Sequence, residues 1–270
     1  MKKNKNEEKK VLLITGASSG IGKAAAIYFS ENGYKVYGVA RKDFDIPNVT
    51  AVLGDVTKNE DMKRVCEFVI SQEGKLDLLI NNAGFGISGA SEFSSIDDIR
   101  KIFEVNFIGA VSLTQIVLPY MRKHGFGKII NTSSVASVIP IPYQSFYSAT
   151  KAALDTWAKA LRIEVAPFNI KVSNVLPGDT KTEFTTRREK SKNDVDGVYS
   201  KKESRSIAKM EKDEQNGMPP IAVAKVMYKI AKKKNPPATK TVGFGYKAIT
   251  FLTKVLPTRF MLWVVKLLYN

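Results

Sequence analysis

Short runs of nearly uninterrupted apolar and β-branched residues recur along the first two thirds of the chain. They span 11–15, 35–40, 49–54, 76–81, 128–133 and 171–176. Runs this short, apolar at almost every position, predict strands covered on both faces of a sheet. Between them lie stretches in which apolar residues return every three or four positions: 22–32, 58–72, 96–121 and 146–165. That period predicts helices. Strands separated by helices in this way predict βαβ units and a parallel sheet. The fold class is α/β, a Rossmann-type doubly wound sheet forming a single domain over 11–245. Gly125 and Pro167 punctuate helix ends.

Three segments break the pattern. Residues 1–10 form a polar, lysine-rich tail with no apolar run of signal-peptide length after it. Residues 185–215 are highly charged, with mixed signs and few large apolar side chains. An excursion of that length in a compact domain predicts a substrate lid. Residues 246–270 are mostly apolar but interrupted by Lys247, Lys254, Pro257, Arg259 and Lys266. The longest apolar stretch there falls short of the ~20 residues needed to span a bilayer. This amphipathic extension would close over the core, form a subunit interface, or lie on a membrane surface.

Composition narrows the partners. The chain of 270 residues carries a net charge of +16, and no acidic residue occurs from Gln215 to Asn270. That asymmetry suits an anionic membrane surface or simply a solvated face. No stacking or groove-reading motif supports a nucleic-acid partner. The single cysteine, Cys66, allows no internal disulfide and is expected to pack in the core. With one histidine, His124, no metal site of the usual His/Cys type is expected. These features point to a cytoplasmic protein, neither secreted nor membrane-spanning, with peripheral membrane contact through 246–270 as its one route to a bilayer.

The chemistry begins at the turn after the first strand: Thr15-Gly16-Ala17-Ser18-Ser19-Gly20-Ile21-Gly22. Its glycines allow a tight turn and close approach to a pyrophosphate, and the helix that follows offers free N–H groups to the anion. Strand–turn–helix context is what gives such a motif weight. A P-loop ending at Gly22-Lys23 would need glycine at position 17, which is alanine.

Together with further motifs, this turn resembles the short-chain dehydrogenase/reductase family over residues 11–182. The other motifs are Asp55-Val56, Asn81-Asn82-Ala83-Gly84, Asn106, Ser134, Tyr147-x3-Lys151 and Pro177-Gly178. The resemblance implies a dinucleotide held by Gly16, Ser18, Ser19, Gly20, Ile21 and Gly22, with Asp55 and Val56 at the adenine. Asn82, Ala83 and Gly84 would line the ribose, and Thr180 and Thr182 would hold the carboxamide. At the end of the second strand, where a carboxylate would select NAD(H), stand Ala40, Arg41 and Lys42. Arg41 can grip a 2′-phosphate, so NADP(H) is preferred over NAD(H).

Tyr147 and Lys151 are four apart and share a helix face. A free tyrosine has a pKa near ~10, and a neighbouring ammonium is expected to lower it toward a working acid/base range. The family pattern places Ser134, not Ser133, as the group holding the substrate oxygen. It gives Asn106 a water in a proton relay from Lys151. Tyr143 and Gln144 would join Ser134 and Tyr147 around the substrate. Similarity near Arg41 and over 143–161 to 17β-hydroxysteroid-dehydrogenase-like and acyl-dihydroxyacetone-phosphate-reductase-like enzymes implies steroid, retinoid or lipid ketones. The expected activity is NADPH-dependent interconversion of an apolar ketone and a secondary alcohol by a homodimer or homotetramer. The alternative is a non-catalytic NADP-binding sensor or scaffold, which would have no need of the proton-transfer set.

Overall fold

The computed structural model describes residues 9–191 and 197–269; the start of the polar tail and part of the 185–215 excursion lie outside them. In β1 (Lys10–Thr15), Val11 and Leu13 enter one apolar cluster while Leu12 and Ile14 enter another. Successive side chains of a strand face opposite ways, so a strand apolar at every position needs cover on both sides. The same logic builds β2 (Tyr34–Ala40), β3 (Val49–Leu53) and β4 (Leu78–Asn81). After the two-residue β5 (Ile87–Ser88) come β6 (Gly127–Thr132) and β7 (Ile170–Pro177). The two-residue β8 (Glu189–Lys190) and β9 (Thr239–Val242) follow. Seven strands form one parallel sheet in the order β3-β2-β1-β4-β6-β7-β9, and β5 pairs with β8 apart from it. The chain is a Rossmann-like α/β fold.

Helices α1 (Gly20–Glu31) and α7 (Pro220–Lys232) cover one face through Phe29 and Met227. On the other lie α2 (Asn59–Glu73), α4 (Gly109–His124) and α5 (Ser145–Glu164), burying Met62, Leu113 and Leu161. Each such side chain contributes about 2 kcal/mol by leaving water. Cys66 is among them and fully buried. β4 begins at Leu78 rather than at 76 because the buried Asp77 carboxylate takes the Val11 N–H at 2.8 Å.

The helix expected at 96–121 is longer and not uniform. It starts as α3 (Ile96–Phe103), capped by Ser95 accepting from Asp98 N at 3.0 Å. It widens into one π-turn at Glu104–Ile108 and continues as α4 until Gly125, whose φ of 72° ends it. By length and apolar composition this continuous helix would suffice to cross a membrane. It packs on the sheet through Leu113, Val117 and Met121.

The 185–215 excursion contains β8 and α6 (Ser200–Gln215). Residues 246–269 fall in two helices, α8 (Phe244–Val255) and α9 (Thr258–Tyr269), divided at Leu256-Pro257. β1 is hydrogen-bonded to both β2 and β4, so the strand order reverses there. A crevice at the carboxyl ends of these strands is where such sheets take ligands.

Candidate active site

That crevice is a cavity of about 390 Å³. Its inner floor is the glycine-rich turn. Gly16 has φ of 66°, and a Cβ there would sit 3.0 Å from Ala83 Cα. A Cβ on Gly22 would lie 2.1 Å from the Gly16 carbonyl oxygen. Backbone this close to backbone leaves a shallow cradle under the start of α1. No side chain caps that helix at Ser19. Instead, Gly20 N–H donates to Glu183 Oε2 at 3.2 Å, and Arg187 Nη1 donates to Ser19 Oγ at 3.0 Å. A carboxylate thus takes the anion position that helix N-termini favour. Asn82 braces the turn: its Nδ2 donates to Thr15 O at 3.0 Å and its Oδ1 accepts from Thr132 Oγ1 at 3.1 Å.

Most of the residues expected at the cofactor line this one cavity: Gly16, Ser18 to Ile21, Arg41, Asp55, Val56, Asn82 to Gly84, Pro177, Gly178, Thr180 and Thr182. Gly22 lies just behind, against Gly16. Arg41 is exposed on the wall and has no carboxylate at position 40 or 42. The cradle and the backbone N–H groups at the start of α1 fit the pyrophosphate of a dinucleotide.

Ser134, Tyr147 and Lys151 line the same cavity. Ser134 follows β6 after Ser133 and caps the next turn by accepting from Ala136 N at 3.1 Å. Tyr147 and Lys151 occupy the first two turns of α5. Lys151 is buried; its ammonium donates to Thr132 O at 2.9 Å and lies 5.7 Å from the Tyr147 ring centroid. Burial lowers its pKa to about 8. The lowered tyrosine pKa expected from the sequence is not what the chain by itself provides. Burial dominates and pushes Tyr147 up to about 12, aided by the Glu214 carboxylate and opposed by a hydrogen bond with Ser134 and by Arg188.

Asn106 sits in the π-turn, buried beside Lys151. Its Oδ1 accepts from Phe85 N at 3.0 Å, and its Nδ2 donates to Phe85 O at 2.9 Å and Thr150 Oγ1 at 3.2 Å. Its amide therefore fixes the floor of the site. Of the expected substrate residues, Gln144 lines the cavity with Ser134 and Tyr147, but Tyr143 does not. Tyr143 holds a left-handed φ of 60° and turns its ring to Tyr199 at 6.5 Å. The sequence reading missed Phe184, Met210 and Glu214, which form the substrate side, with Arg188 behind them. Phe184 packs 5.5 Å from the Tyr147 ring.

Comparison with known proteins agrees with this geometry. The family described as short chain dehydrogenase matches residues 10–193. The chain belongs to the short-chain dehydrogenase/reductase family. It is an NAD(P)-dependent oxidoreductase. Among its relatives, the 3-ketodihydrosphingosine reductase of Bacteroides thetaiotaomicron is 42% identical, over 96% of this chain and 97% of that protein. A short-chain dehydrogenase from Streptomyces avermitilis superposes with a TM-score of 0.79 at 30% identity, covering 92% of this chain and 96% of that one. ElxO, solved with NADP bound, superposes with a TM-score of 0.74 at 28% identity, covering 89% and 99%.

Proposed function

We propose that the protein is an NADPH-dependent reductase of a lipid-like ketone. One observation carries the reading: Ser134, Tyr147 and Lys151 line the same cavity as Arg41. The cofactor, when bound, supplies the hydride and, once oxidised, a positive charge that favours the phenolate. Gly16, Gly20, Ser19 and Arg41 would hold it, with Asp55 and Val56 at its adenine and Thr180 and Thr182 at its carboxamide.

Ser134 holds the carbonyl oxygen and Tyr147 gives it a proton as negative charge develops there. A tyrosine raised to about 12 arrives protonated, which suits reduction. Lys151, near 8, gives up a proton more readily than an exposed lysine and restores the tyrosine's. Asn106 keeps Phe85 and Thr150 in place beneath this relay.

The substrate half is walled by Phe85, Ile141, Phe184 and Met210, which suits an apolar chain or ring. The name of the Bacteroides relative makes 3-ketodihydrosphingosine the first compound to try, ahead of steroid and retinoid ketones. A lipid substrate also gives a use to the outward faces of α8 and α9, which we read as a peripheral contact with anionic membrane. Ile108, at the end of the π-turn, and Ile163 on α5 are exposed, and the α4 and α5 helices would form the contacts of a homodimer or homotetramer.

The test is oxidation of NADPH and of NADH with this ketone panel, wild type beside Arg41→Ala. The reading expects turnover with NADPH on a lipid ketone. It also expects a KM for NADPH that rises about tenfold or more in the variant while that for NADH barely moves. Equal use of both cofactors by the wild type would refute the cofactor assignment. Turnover confined to small polar ketones would refute the substrate class.

A further inference from the structure

Behind the substrate wall, the side chain of Arg188 is wholly enclosed. Its Nη2 pairs with Glu214 Oε1 on the last turn of α6. The other carboxylate oxygen of Glu214 accepts from Thr185 Oγ1 at 2.6 Å. With the Gln144 amide turned so that its oxygen faces the guanidinium, that oxygen accepts from Nε at 2.7 Å and Nη2 at 3.1 Å. Gln144 is the N-cap residue of α5, three positions before Tyr147. The guanidinium also lies 5.6 Å from the Phe184 ring centroid, and Phe184 is the ring packed on Tyr147. One arginine therefore joins the lid helix, the start of the catalytic helix and the ring beside the catalytic hydroxyl.

A buried ion pair is weak evidence for stability, because desolvating two charges costs about as much as their attraction returns. Its position suggests another use. We propose that Arg188 and Glu214 are positioning residues for the catalytic tyrosine. They are a buried pair that ties α6 to the start of α5 and keeps either charge from standing uncompensated beside the Tyr147 hydroxyl. The inference rests on the proposed role of Tyr147 as proton donor. The two charges act on that hydroxyl in opposite senses: the carboxylate disfavours the phenolate and the guanidinium favours it. The other charged groups lining the cavity are Arg41, Asp55, Lys101, Lys151, Asp179, Glu183, Arg187 and Glu189.

The sign of a pH shift therefore separates this role from simple scaffolding. The measurement is the pH profile of kcat/KM for alcohol oxidation by the full chain with NADP⁺, the direction that needs the phenolate. Glu214→Gln leaves Arg188 unbalanced and should move the tyrosine-dependent limb down by about one pH unit. Arg188→Gln leaves Glu214 unbalanced and should move it up by a similar amount. The double variant should return close to the wild-type limb, with kcat reduced because α6 is no longer tied. Where Arg188→Gln fails to fold, Glu214→Gln decides alone, since its limb must still move down. Singles that shift in the same direction, or not at all, overturn the proposal. Tyr147→Phe is run alongside, since an active phenylalanine variant overturns the role of the tyrosine itself, whereas a dead one with unshifted limbs overturns only the pair.

Discussion

Burial does most to set the chemistry of single residues at this site, and it acts oppositely on the two that exchange protons. The neutral form is favoured in both cases, so the phenol of Tyr147 becomes a weaker acid and the ammonium of Lys151 a stronger one. For reduction the consequence has a definite sign. Lys151 is protonated below its pKa of about 8, so the relay is charged at neutral pH. Reduction should be flat below pH 8 and decline as Lys151 loses its proton above it. In Lys151→Arg, whose side chain stays protonated, that decline should vanish while the rate falls, a difference read from pH–rate profiles. Tyr147→Phe should lose roughly 10²- to 10⁴-fold in kcat, the usual worth of a positioned acid, with NADPH affinity and thermal midpoint little changed. A variant still turning over at the wild-type rate would remove Tyr147 from the chemistry. Sequence singled these residues out because Tyr147 and Lys151 stand one helix turn apart and the family pattern favours Ser134 over Ser133. Arg188 and Glu214 were not: they lie 26 residues apart, meet only when α6 docks, and form no local motif.

At the level of elements, the β1–α1 turn is governed by contacts that no side chain can share. Gly22 is the most demanding position. A Cβ there would meet the Gly16 carbonyl oxygen at 2.1 Å and Asn82 Nδ2 at 2.5 Å, and main chain cannot swing aside as a flexible side chain can. Gly22→Ala should therefore cost about 2 kcal/mol, a thermal-midpoint drop of about 5 °C, and weaken dinucleotide binding at least tenfold. A midpoint and a dinucleotide Kd both equal to wild type would mean that the turn is looser than these contacts require. Six strands and the helices α1, α2, α3–α4 and α5 were readable because most of their buried positions are apolar. The strand β9 was missed for the converse reason. Thr239–Val242 is short, polar at all but its last position and at the sheet edge, where only Val242 is buried, so it lacks the periodicity of its neighbours. The π-turn at Glu104–Ile108 carries no sequence sign either, since widening one turn of a helix leaves its apolar period intact.

Across the whole molecule, charge and exposed apolar surface gather at one end of the chain. The alternatives left open for residues 246–270 are partly combined in the structure. On the inner side, Tyr246 packs its ring against Gly178 and donates to Asp179, and Val265 is buried. Tyr269 is half-buried where Asp179, Asp213 and Glu214 all act on it, so α9 closes behind the substrate side. On the outer side, Phe244, Phe251 and Val255 of α8 and Phe260, Trp263 and Leu267 of α9 are exposed at helical spacing. Lys247, Lys254, Arg259 and Lys266 rise among them, also exposed. An apolar stripe flanked by cations and free of carboxylates is the pattern of a helix lying in a lipid interface, each cation contributing about 1 kcal/mol near anionic headgroups. Because Tyr246 partners the half-buried Asp179 carboxylate that lines the cavity, truncating the chain before it would disturb the pocket as well as the surface. Outward-facing substitutions make the cleaner experiment. Phe251→Glu with Trp263→Glu should abolish flotation with anionic vesicles, while wild type floats with them and not with neutral ones. Activity on a soluble ketone should persist in the double variant, and activity on a vesicle-borne ketone should fall. Should wild type and variant float equally, the stripe belongs to a subunit interface, and the molecular mass in solution would then drop on substitution.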